Sequence, residues 1–369
     1  MKIELSEFES QKGNISIYKL TNSSGASVEL SSLGAGILSI YVPDKDGVLT
    51  DVVLGYSNYR DYIYDGPCAG KTAGRYANRI AKGHLEVNGK IYKLNTNCGP
   101  NSLHGGPEGF QNQNWESEIQ DNKIVFTYKS KDGEEFFPGN VDVKVTYEWT
   151  ENNTLTIDYY ATSDEDTVIN LTNHTYFNLN GVGNNDILEH TLKINSSFYL
   201  PTDETLVPTG EYASVKGTPM DFTTPKALGT DINSDFDAIR YGKGYDHCWL
   251  VDNYENNEIK EICVLKEKST NRELLISSSQ VGVQVYTGNW LNDSPLGKNG
   301  IKHFDYCAVA IECQGLPDAP NKPQFPSQSL KKGEAYKQTI VYSFKVTDKY
   351  HEAIITTFSS RHGDTIWWP

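Results

Sequence analysis

Long hydrophobic runs are missing from this sequence of 369 residues. No segment approaches the roughly 18 consecutive apolar residues by which a membrane-spanning helix is recognised, so we predict no membrane span. The opening segment, MKIELSEFES, carries charges and no apolar stretch, which is unlike a secretory signal peptide. We therefore expect a cytoplasmic protein with no membrane partner.

Closely spaced cysteines are also missing. The six cysteines lie at positions 68, 98, 248, 263, 307 and 313, and none forms the CxxC pair of a zinc knuckle or a thioredoxin-like site. Their wide spacing in a long chain is typical of reduced thiols in a cytosolic protein. The sequence also contains no Walker-type phosphate loop, no GxGxxG that opens a helix and no GxSxG elbow.

Positive charge is scarce. The chain has 33 Lys and Arg against 48 Asp and Glu, which gives a net charge of −15. Nucleic acids and anionic membranes are recognised through basic patches, so we expect neither as a main partner.

Aromatic residues and short alternating segments are abundant. Tyrosine alone occurs 23 times. GHLEVNGKIYKL predicts a hairpin that turns at Asn88-Gly89, and VDVKVTYEWTENNTLTIDYYAT predicts a second hairpin. Such short strands without intervening helical periodicity predict an antiparallel sandwich or barrel. We expect residues 1–347 to form one domain and residues 348–369 to form a C-terminal extension of unknown role.

One predicted strand, VINLTNHTYFNL at residues 168–179, has an unusual polar face. Side chains alternate between the two faces of a strand, so one face would carry Asn170, Thr172, His174, Tyr176 and Asn178. We expect this polar face to line a binding cleft, with His174 at its centre.

Five residues stand out as candidates for chemistry. His104 lies in a glycine-rich loop, CGPNSLHGGPEGF, where a ligand can approach the backbone closely. Asp246 and His247 are adjacent, so only one of them can point into a given pocket. Glu312 ends an apolar strand, where partial burial would raise its pKa and suit it to act as a general base. Arg79 has few acidic neighbours and could hold a ligand oxygen.

The spacing of these residues does not indicate a metal site. His104, His174 and His247 occur at neither HxH nor HxxxH spacing. We predict no metal.

Six ordered motifs resemble the aldose 1-epimerase (galactose mutarotase) family. The resemblance runs from about Val28 to about Phe344, and its motifs are GRYANRIAKG, PNSLHGGPEGF, NLTNHTYFNL, YDH, VQVYTGNWL and ECQGLPDAPNKPQFPS. It implies a large antiparallel β-sandwich, the galactose mutarotase-like supersandwich, with few short helices. It also implies interconversion of the α and β anomers of free hexoses such as galactose and glucose without a cofactor, by a monomer or a homodimer.

Site roles follow from the resemblance, motif by motif. It implies that Glu312 is the general base and His174 the general acid. It implies sugar contacts for Arg79, His104 and Asp246, with support from Asn78 and Gln284. The segment CAGKTA departs from the family pattern, and we expect its Lys71 to alter the rim of the cleft.

Other functions are compatible with parts of this pattern. A non-catalytic carbohydrate-binding protein would keep Arg79, His104 and Asp246 but would not need both Glu312 and His174. An epimerase of phosphorylated hexoses would need a basic cluster, for which only Arg79 and Lys71 are available. A sugar hydrolase or lyase would need a second carboxylate or a tyrosine beside the acid, for which Asp246 is the candidate.

Overall fold

The computed structural model describes residues 1–183 and 185–347. Its strands, in chain order, are β1 Lys2–Ser10, β2 Gly13–Thr21, β3 Ser27–Ser31, β4 Gly36–Pro43, β5 Leu49–Asp51, β6 Thr72–Ala73, β7 Arg79–Ile80, β8 His84–Val87, β9 Lys90–Lys93, β10 Ser102–Leu103, β11 Glu116–Gln120, β12 Lys123–Ser130, β13 Val141–Trp149, β14 Thr154–Ser163, β15 Thr167–Val168, β16 Thr172–Asn173, β17 Tyr176–Phe177, β18 Thr191–Ile194, β19 Phe198–Tyr199, β20 Ala213–Ser214, β21 Lys226–Ala227, β22 Asp246–Leu250, β23 Lys260–Glu267, β24 Arg272–Ser278, β25 Gly282–Tyr286, β26 Val309–Gln314, β27 Ser329–Leu330 and β28 Ala335–Val346.

Three larger antiparallel sheets organise these strands. The strand orders are β1-β2-β3-β4-β5, β11-β12-β13-β14-β28-β24-β23-β18-β21 and β17-β26-β25-β22-β19-β20. Four two-stranded pairs complete the described strands: β7 with β10, β6 with β16, β15 with β27, and β8 with β9. The predicted all-β antiparallel fold is confirmed.

Helices are few and short among the described residues. They comprise one α-helix, Asp237–Gly242, and six 3-10 turns at Tyr59–Tyr62, Ala81–Gly83, Phe110–Asn112, Glu134–Phe136, Lys298–Gly300 and Ala319–Asn321. No helix in this part of the chain has the length and apolar character needed to cross a membrane.

Both predicted hairpins are confirmed. Asn88 and Gly89, between β8 and β9, have φ angles of 52° and 78°, and a type I′ turn requires positive φ at both central positions. Strands β13 and β14 pair in register from Val141 opposite Ser163 to Trp149 opposite Leu155. Alternate residues of β13 are buried, as expected for a sheet with one face on the core.

A single hydrophobic cluster joins the three larger sheets. It contains Ile40 from the five-stranded sheet, Val145 and Ile340 from the nine-stranded sheet, and Val285 and Ile311 from the six-stranded sheet. Because contacting apolar residues of all three sheets share this core, we propose that residues 1–347 form one domain. The predicted extension at residues 348–369 lies outside the described residues.

The six-stranded sheet has two different faces. On β26, Ile311 and Cys313 belong to the shared hydrophobic cluster, whereas Glu312 between them lines a cleft on the opposite face. Gln284 on β25 lies opposite Glu312, and Asp246 on β22 lies opposite Tyr286. Directly opposed residues of a sheet share a face, so the antiparallel register brings these side chains to the same side.

Candidate active site

The cleft on this sheet gathers most of the site residues predicted from the sequence. Its volume is about 510 Å³. Six of the predicted residues line it: Asn78, Arg79, His104, His174, Asp246 and Glu312. Gln284 does not line the cleft but donates from Nε2 to Asp246 Oδ1 at 2.8 Å, so it holds a lining residue in place. His247, the neighbour of Asp246, is buried outside the lining.

His174 and Glu312 are both buried and contact each other at the cleft floor. His174 Nε2 lies 3.4 Å from Glu312 Oε1, and the two side chains are 6% and 2% exposed. Burial raises the pKa of Glu312 well above its ordinary value, with a smaller contribution from the Asp246 charge. Burial lowers the pKa of His174 to about 4. Without a sugar, both groups therefore favour their neutral forms, whereas the roles predicted from the sequence need a carboxylate and an imidazolium.

The segment that carries His174 is not one regular strand. Strand β16 pairs with β6, strand β17 pairs with β26, and His174 and Thr175 lie between the two pairings. The prediction that the whole polar face lines the cleft is wrong, because only His174 and Tyr176 do so.

The other polar side chains of the predicted polar face bond to backbone groups. Asn170 accepts from the Gly315 N–H at 2.8 Å, Thr172 donates to the Cys313 carbonyl at 2.6 Å, and Asn178 donates to the Cys307 carbonyl at 3.0 Å. All three are fully buried. They satisfy backbone groups where the chain changes sheet partners, which a buried segment must do to avoid unpaired polar atoms.

His104 is held in one tautomer by its neighbour. Its ring Nδ1 accepts the backbone N–H of Asn78 at 3.0 Å, and the backbone N–H of His104 donates to the Asn78 carbonyl at 3.0 Å. Burial lowers the pKa of His104 well below its ordinary value, so the ring is neutral and carries its proton on Nε2. His104 is thus a hydrogen-bond donor towards the cleft.

The loop around His104 requires glycine at the next position. Gly105 has φ of +79°, and a Cβ there would lie 2.1 Å from the carbonyl oxygen of Gly74. The close approach explains why a glycine follows this histidine in the sequence.

Arg79 and Asp246 place opposite charges on another wall. Arg79 Nη2 lies 3.9 Å from Asp246 Oδ2. Burial raises the pKa of Asp246, while Arg79 and the Gln284 hydrogen bond oppose that shift. A paired donor and acceptor of this kind suits vicinal hydroxyl groups, each of which can both donate and accept.

Several polar atoms at the cleft lack a hydrogen-bond partner among the described residues. They are Arg79 Nε, His174 Nδ1, Gln284 Oε1 and Glu312 Oε2. Buried polar atoms are usually satisfied, so their concentration at one place indicates a polar ligand site.

The donor set does not suit a metal ion, although it is compact. One potential ligand atom from each of His104, His174 and Glu312 lies within 4.8 Å of the others. A histidine that binds metal through Nε2 normally donates its other ring N–H to an acceptor. His104 instead accepts an N–H at Nδ1, which leaves a proton on Nε2 where a metal would need a lone pair.

Lys71 does not lie at the rim of the cleft, so that prediction is wrong. Its ammonium is buried and lies 2.6 Å from the Asp65 carboxylate, with side-chain exposures of 2% and 0%. The prediction rested on the departure of CAGKTA from the family pattern, and no motif marked Asp65 as the partner that buries this lysine. A lysine is rarely buried unless it is paired.

Several lining residues were not predicted from the sequence. They include Gly66, Pro67, Cys98, Leu206, Tyr286, Trp290, Asp293 and Ser294. Tyr286 had a usable signal, since alternation from Gln284 puts it on the same strand face. Gly66, Pro67 and Leu206 lie outside regular strands, where no periodicity points to a cleft.

Comparisons with known proteins match this architecture. The family model described as aldose 1-epimerase matches residues 16–343. A galactose mutarotase of Mus musculus is 39% identical over 340 residues, which cover 92% of this chain and 97% of that protein. An aldose 1-epimerase of Haemophilus influenzae is 40% identical over 337 residues, which cover 88% of this chain and 94% of that protein.

Solved structures of aldose epimerases have a similar fold. An aldose epimerase homologue from C. elegans has a TM-score of 0.83 at 29% identity and covers 94% of this chain and 100% of its own. A galactose 1-epimerase from Lactobacillus acidophilus has a TM-score of 0.82 at 27% identity with the same coverage. The chain belongs to the aldose 1-epimerase family.

Proposed function

We propose that this chain is an aldose 1-epimerase that interconverts the α and β anomers of free hexoses such as galactose and glucose. The observation that carries the proposal is the buried His174–Glu312 contact of 3.4 Å at the floor of a polar cleft. Family membership and the mutarotase names of its relatives support the same activity.

The proposed reaction opens and recloses the sugar ring. Glu312 takes the proton of the C1 hydroxyl as the C1–O5 bond breaks, and His174 gives a proton to the ring oxygen O5. The aldehyde turns about the C1–C2 bond, and the O5 hydroxyl attacks the other face of C1. His174 then recovers its proton from O5, and Glu312 returns its proton to the oxygen on C1. The cycle leaves both residues unchanged, as general acid–base catalysis requires.

The other cleft residues would hold the sugar during this cycle. The Nε2–H of His104 and the Arg79 guanidinium are donors, and Asp246 is an acceptor. An unpaired buried polar group costs about 1–3 kcal/mol, so sugar hydroxyls that pair with these groups would bind favourably. All of the proposed contacts come from one chain, so either a monomer or a homodimer would contain a complete site. The six free cysteines fit a reducing compartment, and we propose the cytoplasm.

Polarimetry tests the proposal directly. Freshly dissolved α-D-galactose or α-D-glucose should relax to its equilibrium rotation faster with the enzyme than without it, in proportion to enzyme concentration. If no free aldose relaxes faster while galactose still binds, the chain is a carbohydrate-binding protein instead. That alternative needs Arg79, His104 and Asp246 but gives no purpose to the His174–Glu312 contact.

The pH dependence of kcat/KM should be bell-shaped, because the active pair must hold one proton. At low pH His174 takes up a proton while Glu312 is still protonated, so the pair holds two protons and has no base. This places the acid limb near pH 4. At high pH the Glu312 carboxyl loses its proton and the acid is lost, at a pH above the ordinary glutamate value of 4.5. The two limbs belong to the pair rather than to either residue alone.

Initial rates by polarimetry, corrected for spontaneous mutarotation at each pH, measure this profile. A single limb near the ordinary histidine pKa of 6.5 would contradict the proposed sharing of one proton.

A further inference from the structure

A buried ion pair involves Lys71, whose backbone is bonded to that of His174. Lys71 Nζ contacts Asp65 Oδ1 at 2.6 Å and also donates to the Tyr62 carbonyl at 2.6 Å and to Asn112 Oδ1 at 3.1 Å. Moving two charges from water into the protein interior carries a large desolvation cost. Proteins in which a buried ion pair is replaced by apolar residues are often no less stable. Stability alone is therefore a weak reason for this pair, and its position suggests another.

Lys71 is the backbone partner of His174. The Lys71 carbonyl accepts the His174 N–H at 2.9 Å, and the Gly70 N–H donates to the His174 carbonyl at 2.9 Å. These bonds continue the β6–β16 ladder by one rung, because Thr72 lies opposite Asn173. His174 is the last residue held by this ladder before the chain crosses to β26.

Asp65 holds the other side of the same turn. Its Oδ2 accepts the Tyr56 hydroxyl at 2.5 Å and the Ala69 N–H at 2.8 Å. Gly66 and Pro67, which follow it, form part of the cleft wall. The Pro67 carbonyl accepts the Tyr176 hydroxyl at 2.8 Å, and the Tyr176 ring lies 4.8 Å from the His174 ring.

We propose that the Lys71–Asp65 ion pair positions His174 for proton transfer with Glu312. The ion pair closes the turn at 65–71. This turn fixes the His174 backbone through Gly70 and Lys71, and the same turn fixes the neighbouring Tyr176 ring through Pro67. Lys71 and Asp65 are positioning residues, since neither lines the cleft. The inference rests on the proposed role of His174.

The charges around His174 make this role measurable. The ionisable Glu312 contacts the His174 ring, the Asp65 and Lys71 charges act on its pKa, and the neighbouring His104 and Tyr176 are kept neutral by burial. Asp65 raises the pKa of His174 and Lys71 lowers it, so the two charges of the intact pair oppose each other.

Opposite substitutions should therefore shift the acid limb of kcat/KM in opposite directions. Lys71→Met leaves the Asp65 charge, which moves the limb to higher pH, and Asp65→Asn leaves the Lys71 charge, which moves it to lower pH. Each variant should also lose about 10²-fold in kcat, the effect of a misplaced catalytic group, with KM little changed. In the double variant Asp65→Asn/Lys71→Met both charges are gone, so its limb should lie between those of the two single variants.

A second buried pair provides the matched control. Lys298 Nζ lies 2.6 Å from Asp51 Oδ2 and donates to the Leu38 and Val53 carbonyls, and it does not line the cleft. Lys298→Met should lower the melting temperature as Lys71→Met does but keep the wild-type kcat and acid limb.

Equal losses of stability in Lys71→Met and Lys298→Met, with kcat and the limb unchanged in both, would overturn the inference. If Lys71→Met does not fold, the kcat and the acid limb of Asp65→Asn and of the double variant are compared with those of the wild type instead. NMR titration of the His174 ring protons reports the shift without turnover. A wild-type chain that fails to accelerate mutarotation would therefore refute the proposed function, while an unshifted His174 in the variants would refute the positioning role.

Discussion

Glu312→Gln should lower kcat for galactose mutarotation by about 10²–10⁴-fold, the usual contribution of one positioned proton-transfer group. Glutamine has nearly the same size, so it can fill a site that is 2% exposed without leaving a cavity. It cannot accept the C1 hydroxyl proton, because its amide is not a base at neutral pH. KM should stay close to the wild-type value, since the sugar is held mainly by other residues of the cleft.

The measurement is polarimetric initial rates together with calorimetric binding of galactose. Glu273→Gln is the matched control, because Glu273 is also a largely buried strand glutamate, 4% exposed, but pairs with Lys266 and Lys345 away from the cleft. We expect wild-type kcat from the control. Wild-type kcat from Glu312→Gln itself would remove Glu312 from the mechanism.

His174→Gln should reduce kcat by a similar factor of about 10²–10⁴. The amide can occupy the position of the imidazole, but it cannot deliver a proton to O5 and recover it. Because acid and base act in the same step, the double variant with Glu312→Gln should lose little more than either single variant. Additive losses on a logarithmic scale would instead mean that the two residues act in separate steps.

His190→Gln separates this effect from the burial of a histidine. Burial lowers the pKa of His190 to about 4, as it does for His174, but His190 Nε2 accepts the Leu179 N–H in the core. The control should lose stability and keep kcat per folded molecule. If His174→Gln retains galactose binding and only loses turnover, the non-catalytic alternative is excluded.

The fold followed from local patterns that the structure uses directly. Alternation identified β13 and β14, and Asn88-Gly89 identified a hairpin because few residue pairs tolerate positive φ at both positions. Five of the six cleft-lining residues stood out by residue type and local context, but Asn78 and the role of each residue came from the family resemblance. Their assembly depends on the register of three strands and on two loops, which no local pattern specifies.

The two wrong predictions, for the strand at 168–179 and for Lys71, both depended on tertiary contacts that a local sequence pattern does not show. A regular strand was assumed through residues 168–179, but His174 lies where the chain changes partners, so alternation no longer assigns faces. The rim position of Lys71 was inferred only from the departure of CAGKTA from the family pattern, which does not say where the side chain points. Its partner, Asp65, lies in a turn whose approach to Lys71 depends on tertiary packing.

Alternate residues of strand β26 face the hydrophobic core and the cleft, so the position of Glu312 in the cleft depends on the register of the strand. Inserting or deleting one residue before Glu312 would turn the carboxylate into the hydrophobic core and present Ile311 or Cys313 to the sugar, so fold and activity would be lost together. A point substitution at 312 changes only the cleft face. We therefore expect the cleft face to tolerate single substitutions that change its chemistry, but not insertions or deletions within the strand.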